Sequence, residues 1–347
     1  MKSERVLASI QTISNIEKHP NADTLELATI LGWQIIVKIG EITLGSKVIY
    51  CEIDSLLPVD VEWLPQSVKD RIIREKISDY FRVKTIKLRG ELSQGLIIPI
   101  VDTLPTVDDW NDGTDVTKPL GIKKYEPYMC NGRFDLRVTN SKVRFPSLIL
   151  DKTDEQRIQS NPKLLDQIKG KPYNITVKLD GTSATYFIHP ETEKFIVCSR
   201  TKVRTEPDFE TNCPYWLIAR KYDIENKLRR DPNLAIQGEI CGPHIQHNLL
   251  DLRDLDFFIF NVIDLRYKLR LDVDSMIQHC DTVLNIPTVP IEEIGEKFSY
   301  DSIKTLLIKA NGLYRGTKNP REGLVIRSSK LISFKVINNE YLLKYGY

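Results

Sequence analysis

The stretch "ITVKLDGTSATY" (175–186) ends an apolar run with a lysine, followed two residues later by an aspartate and then a glycine. A neutral lysine amine is a nucleophile, and a carboxylate can bind a divalent cation. Lys178, Asp180 and Gly181 could therefore be a nucleophile, a metal-facing carboxylate and a tight turn. The same residues also fit a plain β-hairpin, because Asp-Gly between alternating hydrophobic residues is a strong hairpin signal.

Further residues with chemical potential follow this lysine in short segments. "CSR" ends a predicted strand at Arg200, and "QGEICGPHIQH" has Glu239 at a strand end before a Gly-Pro turn. "DFFIFNVI" is an aromatic strand that contains Phe260, while "REGLVIR" and "SFKVIN" carry Glu322 and Lys335. Carboxylates and cations from separate segments are what phosphoryl transfer requires, since it depends on positioning and charge neutralisation.

In their order along the chain, these segments resemble the motifs of the covalent nucleotidyltransferases, which include ATP-dependent ligases and mRNA capping enzymes. "KLDG" is similar to motif I, "SR" to motif Ia, "GE" to motif III, "FFIFN" to motif IIIa, "EGLVI" to motif IV and "FK" to motif V. A single Lys-x-Asp-Gly is a weak signal, but six motifs in the required order are a strong one. This order favours the nucleophile over the hairpin.

Within this superfamily, the chain resembles the RNA ligases rather than the DNA ligases. "GEICGPHIQHN" is similar to the Gly-Glu-x-x-Gly-Pro-Gly-Ile-Gln-x-Asn stretch of RNA ligases, and "FPSLILDKTDEQRIQ" also resembles an RNA ligase segment. At the N-terminus, "HPNADTLELATI" and "IKLRGELSQGLIIP" look like the OB-fold modules that bind tRNA. An OB domain ahead of the catalytic one resembles RNA ligase family 5, whereas DNA ligases and capping enzymes carry theirs after it.

The resemblance implies a three-step reaction with ATP and Mg²⁺ or Mn²⁺ as cofactors and RNA as partner. Lys178 would attack the ATP α-phosphate, AMP would pass to an RNA 5′-phosphate, and a 3′-hydroxyl would displace AMP. The RNA would be a nicked duplex or a pair of 3′-hydroxyl and 5′-phosphate ends. A lysine has an ordinary pKa of about 10.4, and we expect desolvation and neighbouring cations, including metal ions, to lower it.

The resemblance also implies a role for each matched residue. Asp180, Glu239 and Glu322 would face the metal, in part through water, because Mg²⁺ keeps several waters. The expected ATP- or AMP-binding residues are Arg157, Val177, Arg200, Glu239, Phe260 and Lys335. Phe260 would pack on adenine, whereas Phe257 and Phe258 are expected in the core. The chain departs from a common motif V pattern at Ile337, where many relatives carry a second lysine.

The predicted fold class is α+β: an N-terminal OB-fold β-barrel over residues 1–120, a linker over 121–145, and a nucleotidyltransferase domain of antiparallel sheets flanked by helices over 146–347. "SVKDRIIREKISDYF" (67–81) has helical spacing within the first domain. Lys84, Lys87 and Arg89, expected on one strand, could contact RNA phosphates. They could equally be the solvated face of that strand.

Composition is that of a globular protein, with 347 residues of which 41% are hydrophobic and 28% charged. Residues 1–120 have a charge balance of −4 and the remainder +6, a weak indication of a polyanion partner. No window is apolar enough to span a membrane, and the N-terminus has no secretory h-region. Six scattered cysteines fit reduced thiols in the cytoplasm or another reducing intracellular compartment. We expect a monomer.

Three alternatives remain open from the sequence. The nearest enzymes are a DNA ligase and a guanylyl-transferring capping enzyme. A non-catalytic RNA-binding protein with a decayed ligase domain is the alternative from another class, which Ile337 keeps open. Zinc at Cys241, His244 and His247 is disfavoured, because the spacing is unusual and no fourth ligand is evident.

Overall fold

The computed structural model describes residues 5–75, 79–100, 107, 109–125, 140–206, 212–328 and 332–346. These residues fall into two compact units. The N-terminal unit comprises Ser3–Pro127, Ile158–Pro162 and Asn339–Tyr347, and the second unit comprises Tyr128–Arg157 and Lys163–Asn338. Within the described ranges, every helix is too short or too polar to cross a membrane.

The strands in chain order are β1 (Ala8–Thr12), β2 (Asn15–Lys18), β3 (Leu25–Ile30), β4 (Trp33–Lys38), β5 (Lys47–Cys51), β6 (Ser55–Pro58), β7 (Tyr80–Arg82), β8 (Thr85–Leu88), β9 (Glu91–Gln94), β10 (Leu96–Pro99), β11 (Lys123–Lys124), β12 (Asn140–Arg144), β13 (Gln156–Arg157), β14 (Tyr173–Lys178), β15 (Thr182–Ile188), β16 (Phe195–Ser199), β17 (Lys202–Arg204), β18 (Leu234–Cys241), β19 (Asp256–Asp264), β20 (Leu269–Arg270), β21 (Ile291–Gly295), β22 (Gly323–Ser328) and β23 (Ile332–Ile337). The helices are α1 (Gln66–Glu75), α2 (Lys163–Ile168), α3 (Pro214–Lys221), α4 (Ile224–Arg230), α5 (Val273–His279), α6 (Ile303–Ala310) and α7 (Asn339–Tyr345).

The N-terminal unit is built from short antiparallel sheets, as the alternating pattern and its turn residues predict. They are ordered β1-β5-β10, β2-β3-β4, β11-β6-β7 and β8-β9. The inward-facing side chains form a core in which Ile10, Trp33, Ile49 and Tyr50 are almost completely buried. Of the stretch expected to be helical (67–81), α1 covers residues up to Glu75, whereas Tyr80 and Phe81 lie in β7.

The last helix belongs to the N-terminal unit, whereas the sequence pattern placed residues up to 347 with the catalytic domain. After β23 the chain runs through Asn338 into α7, which packs on β8. Gln94 Nε2 donates a hydrogen bond of 3.1 Å to Asn339 Oδ1. Helical periodicity shows that a helix forms but does not show which sheet it covers. Of the expected linker 121–145, residues 126–139 lie outside the described residues.

The second unit contains a seven-stranded and a five-stranded sheet. Their strand orders are β12-β17-β16-β15-β18-β19-β20 and β13-β23-β22-β14-β21. Buried residues of the seven-stranded sheet, including Tyr186 and Phe257, pack with Trp216 of α3, Leu228 of α4 and Met276 of α5. The strands next to Lys178 are β22 and β21, which pair with β14 on its two sides.

The Asp-Gly dipeptide does not form a hairpin. β14 lies in the five-stranded sheet and β15 in the seven-stranded sheet, so residues 179–181 carry the chain from one sheet to the other. Gly181 is essential to this crossing, because a Cβ there would lie 2.4 Å from the Ile240 carbonyl oxygen and 2.8 Å from Glu239 Cγ. The glycine therefore lets the two sheets approach each other beside Lys178.

Candidate active site

Lys178 is the last residue of β14 and is directly paired with Gly323, the first residue of β22. Its Nζ donates a hydrogen bond of 2.7 Å to Glu322 Oε2, the residue just before that strand. Both side chains are partly shielded, with exposed fractions of 26% and 17%. Antiparallel pairing of β14 with β22 thus brings together two residues that are 144 positions apart in the sequence.

The pKa of Lys178 is set by opposing effects. Burial by itself would lower it, but the carboxylates of Glu322, Glu239 and Asp180 together hold the pKa above its ordinary value. The sequence led us to expect a lowered pKa, on the basis of desolvation and neighbouring cations, including metal ions. In the chain alone the neighbours are carboxylates, so Lys178 is a protonated ammonium at neutral pH.

Glu239 lies on β18 in the seven-stranded sheet, opposite Phe258 of β19. Burial raises its pKa to about 8, with the nearby carboxylates of Glu322 and Asp180 adding to the rise while Lys178 and Arg200 oppose it. The pKa of Glu322 is raised as well, first by burial. Burial and the neighbouring carboxyl groups thus raise the pKa values of both glutamates beside Lys178.

Asp180 is buried and its Oδ2 lies 3.0 Å from Nδ1 of His247. His247 therefore contacts a carboxylate, which accounts for its position without a zinc ion. Among the described residues, no three His, Cys, Asp or Glu side chains converge on one point in a way that could hold a metal ion directly. The oxygen donors around Lys178 suit a hard divalent cation, which would have few direct protein ligands and would keep part of its water.

Two cations lie side by side on the five-stranded sheet. Arg157 of β13 is in register with Lys335 of β23. Lys335 Nζ donates a hydrogen bond of 3.0 Å to Asp154 Oδ1. Asp154 lies in the "FPSLILDKTDEQRIQ" segment, but the sequence analysis gave it no role. Ile337, in the position where relatives carry a second lysine, is 3% exposed and belongs to the core.

The aromatic strand β19 has two different faces. Phe257 and Ile259 are fully buried, whereas Phe258 and Phe260 are half-buried on the opposite face. The expectation that Phe258 belongs to the core is therefore wrong, because it alternates with Phe257 and shares the face of Phe260. Arg200 follows β16 on the same sheet and is close enough to Glu239 to lower its pKa.

Val177 precedes Lys178 on β14 and is buried, with its backbone in register with Leu324. Its side chain therefore faces protein. Val177 lies at the site because it is next to Lys178 in β14. Its expected contact with the nucleotide stays a prediction.

The three basic residues of the N-terminal unit are exposed but do not share a strand. Lys84 precedes β8, Lys87 lies within it, and Arg89 follows it in a turn with a φ of +49°. The turn is held by Asn21, whose Nδ2 donates a hydrogen bond of 2.9 Å to the Arg89 carbonyl oxygen. β8 is thus shorter than expected at both ends, and the turn at Arg89 and Gly90 ends it on one side.

A hydroxyl that sequence analysis missed lies at the centre of the second unit's site. Tyr314 lies on the loop between α6 and β22, outside every matched motif, and is 4% exposed. Its hydroxyl contacts the backbone of Lys178, Asp180 and Glu322. A tyrosine in a loop sequence carries no signal that would have predicted these contacts.

Comparisons with known proteins agree with this geometry. A family model described as RNA ligase matches residues 171–345, and one described as an OB-fold domain matches residues 7–100. A comparison with curated protein sequences finds no match.

Solved structures of a Naegleria gruberi RNA ligase are similar over nearly the whole chain. A lysine-to-alanine variant with ATP and Mn is 31% identical with a TM-score of 0.85, covering 99% of this chain and 98% of that one. The ligase with PPi is 30% identical with a TM-score of 0.84, covering 98% of each chain. A lysine-to-methionine variant with AMP and Mn is 31% identical with a TM-score of 0.85, covering 97% of this chain and 98% of that one.

The predicted α+β fold, with an N-terminal OB-fold and a sheet-rich nucleotidyltransferase-like domain, is confirmed. The matches are to RNA ligases, so the DNA ligase and capping enzyme alternatives are set aside. The chain belongs to the RNA ligase family.

Proposed function

We propose that this chain is an ATP-dependent RNA ligase that works through a covalent Lys178–AMP intermediate. The observation that carries the proposal is the 2.7 Å contact between Lys178 Nζ and Glu322 Oε2, with Asp180 and Glu239 beside them. Relatives bound to ATP, AMP or PPi support the nucleotide assignment. The three steps are lysine adenylylation, transfer of AMP to an RNA 5′-phosphate, and sealing by a 3′-hydroxyl.

In the first step, Lys178 Nζ forms a bond to the α-phosphorus of ATP as the bond to the bridging oxygen breaks and pyrophosphate leaves. The amine must first lose a proton, and Glu322 Oε2 already accepts a hydrogen bond from it. In the second step an RNA 5′-phosphate oxygen displaces the lysine, which regains a proton. In the third, the 3′-hydroxyl oxygen attacks the 5′-phosphorus and releases its proton to solvent, while the bond from that phosphorus to the AMP oxygen breaks and AMP leaves.

The proposed nucleotide site uses residues from both sheets of the second unit. Lys335 and Arg157 would contact phosphates, and Lys335 would exchange Asp154 for a phosphate oxygen. Phe260 would stack on adenine from the half-buried face of β19, while Arg200 would reach the ribose. Base stacking on an aromatic is worth roughly 1–3 kcal/mol. Val177 would lie next to the base through its backbone.

The proposed metal is Mg²⁺ or Mn²⁺, held by Asp180, Glu239 and Glu322. Bound there, it would cancel the negative charge that keeps the proton on Lys178 and offset charge on the triphosphate. The grouping of these three oxygen-bearing side chains around Lys178 supports this assignment, because Mg²⁺ and Mn²⁺ prefer oxygen ligands. Mn²⁺ accompanies ATP or AMP in the relatives.

The proposed substrate is RNA with a 3′-hydroxyl and a 5′-phosphate at a nick in a duplex, with Lys84, Lys87 and Arg89 as phosphate contacts. One chain supplies every residue assigned here, so we propose a monomer. A cytoplasmic or other reducing intracellular compartment is proposed because the five cysteines among the described residues are all buried free thiols.

The test is covalent labelling with α-phosphate-labelled ATP in Mg²⁺ or Mn²⁺, with GTP in parallel. We expect ATP-dependent label on the wild-type protein and none on Lys178→Ala. Lys171→Ala, an exposed lysine just before β14, is the matched control and should label like wild type.

Label that persists on Lys178→Ala would show that another residue carries the nucleotide. Label from GTP alone would point to guanylyl transfer. Absence of label with both metals would favour a decayed ligase domain that retains RNA binding.

A further inference from the structure

The end of the loop between α6 and β22 is held in place by the side chain of Arg321. Arg321, which directly precedes Glu322, is 7% exposed and donates hydrogen bonds to the carbonyl oxygens of Lys309 (2.7 Å) and Ala310 (3.1 Å). Its Nη1 also lies 2.8 Å from Glu292 Oε2. These carbonyl groups end α6 without helical partners, so Arg321 caps the helix and anchors the loop.

The other anchor is Asn319. Its Nδ2 donates a hydrogen bond of 3.0 Å to the carbonyl oxygen of Leu249 and lies 3.2 Å from the carboxylate of Asp251. The loop also closes on itself, since Tyr314 N donates to the Asn319 carbonyl oxygen at 3.0 Å. Tyr314 is thus presented by a loop fixed at several points rather than by a flexible one.

The Tyr314 hydroxyl uses its full hydrogen-bonding capacity on the backbone of the active site. It donates to the Lys178 carbonyl oxygen at 2.9 Å and accepts from Asp180 N at 2.9 Å and from Glu322 N at 3.1 Å. A phenol has one donor and two acceptor positions, so all are occupied. Burial, assisted by Glu322, raises the pKa of Tyr314 and keeps it a neutral phenol that can donate.

We propose that Tyr314 is a positioning residue that fixes the backbone of Lys178, Asp180 and Glu322 relative to one another. Its contacts bridge the end of β14, the chain crossing between the sheets and the residue before β22. Strand pairing ends at Lys178 and Gly323, so beyond that pair the ladder no longer sets the distance between the two segments. Beyond that pair, the hydrogen bonds of the Tyr314 hydroxyl connect the two segments.

This inference rests on the proposed function, since Lys178 and Glu322 matter because of the adenylylation step. The variant is Tyr314→Phe, which keeps the ring and removes the hydroxyl. We expect the rate of lysine adenylylation at saturating ATP to fall about 10- to 100-fold, since a small displacement of reacting groups can cost up to 10²-fold. The ATP concentration for half-maximal rate should change less than threefold.

A second readout requires no nucleotide. Hydrogen exchange should accelerate at the amides of Asp180 and Glu322 in Tyr314→Phe, because both lose their acceptor. The matched control is Tyr186→Phe, which removes a buried hydroxyl that donates 2.9 Å to the Tyr215 carbonyl oxygen in the core of the same unit. Tyr186→Phe should change neither the rate of lysine adenylylation nor the hydrogen exchange of the Asp180 and Glu322 amides.

A Tyr314→Phe rate within twofold of wild type with unchanged exchange would overturn the inference. So would a loss confined to ATP affinity, which would indicate a contact to substrate. If the variant does not fold, the wild-type protein still tests the idea: rapid exchange of the Asp180 and Glu322 amides would contradict it. Failure of the proposed function is distinct, because wild-type protein itself would not label.

Discussion

At the scale of single residues, the pKa values of Lys178 and of the carboxyl groups around it depend on one another. Glu239 and Glu322 have raised pKa values, chiefly through burial, and the same groups hold the Lys178 proton. A nucleophile held as an ammonium is inactive until that negative charge is withdrawn. The proposed divalent cation would withdraw that charge, so we expect adenylylation of Lys178 to depend on the metal.

We predict that Glu239→Gln stabilises the ligand-free protein in a pH-dependent way. The folded-state pKa of about 8 lies above the ordinary value of 4.5. The folded protein therefore binds more protons between these values, and wild-type stability falls as pH rises through this window. The substituted amide would remain neutral at every pH, so the gain over wild type should grow from pH 5 to pH 8 by about 1 kcal/mol per pH unit.

The measurement is thermal or denaturant unfolding across this pH range, with the exposed Glu191→Gln as matched control. The same Glu239→Gln variant should lose adenylylation, since it lacks a proposed metal-facing carboxylate. A stability gain that stays constant with pH would contradict the assignment of this titration to Glu239.

At the scale of elements, the site depends on two places where backbones approach too closely for a side chain. Gly181 lets the chain cross between sheets, and Gly323 begins β22 directly after Glu322. Gly323 has a φ of +154°, and a Cβ there would lie 2.2 Å from the Val336 carbonyl oxygen. Each glycine of the "KLDG" and "EGLVI" motifs thus serves strand packing beside a reactive residue.

We predict that Gly323→Ala destabilises the protein by about 2 kcal/mol or more, because it combines a strained φ with a backbone clash. Gly316→Ala is the control, since Gly316 has a φ of +80° with nothing within 4 Å of the added Cβ. It should cost only the backbone term of about 1 kcal/mol. Urea unfolding midpoints of the two variants measure the difference, and equal midpoints would refute the role of close approach.

At the scale of the whole molecule, the chain leaves the second unit directly after Arg157 and again shortly after Lys335, the two residues assigned to phosphate. Arg157 is followed by Ile158–Pro162, and Asn338 is followed by α7, and both following segments belong to the N-terminal unit. Deleting residues 1–120 would leave α7 without the strand β8 on which it packs. Point variants in the full chain are therefore the better probe of the N-terminal unit.

We predict that replacing Lys84, Lys87 and Arg89 together with alanine weakens RNA sealing but leaves lysine adenylylation unchanged. Each lost phosphate contact should reduce the slope of log affinity against log salt by about 0.9 for a duplex substrate. The matched control replaces the exposed Lys18, Lys38 and Lys118 of the same unit. Equal losses in both triple variants would indicate a general charge effect rather than a defined contact surface.

Much of the candidate site could be predicted from the sequence, because reactive residue types recur in short motifs that keep their order. Lys178, Glu239 and Glu322 were identified in this way, and the structure brings them together. The alternating strand pattern likewise predicted the sheets of both units. Motif order carries this information because each motif lies on or next to a strand of the two sheets, and strand pairing brings distant segments side by side.

Tertiary structure alone decided what depends on contacts between distant segments. It separated β14 from β15, where an Asp-Gly dipeptide locally favours a hairpin, because β14 pairs instead with β22 and β21. It placed Phe258 with Phe260, gave α7 to the N-terminal unit and put the Tyr314 hydroxyl on the active-site backbone. The sequence by itself determined which residues could react and in which segments of the chain they lie. Pairing across more than a hundred residues determined their distances and the proton held on Lys178, because both depend on neighbours that no local pattern specifies.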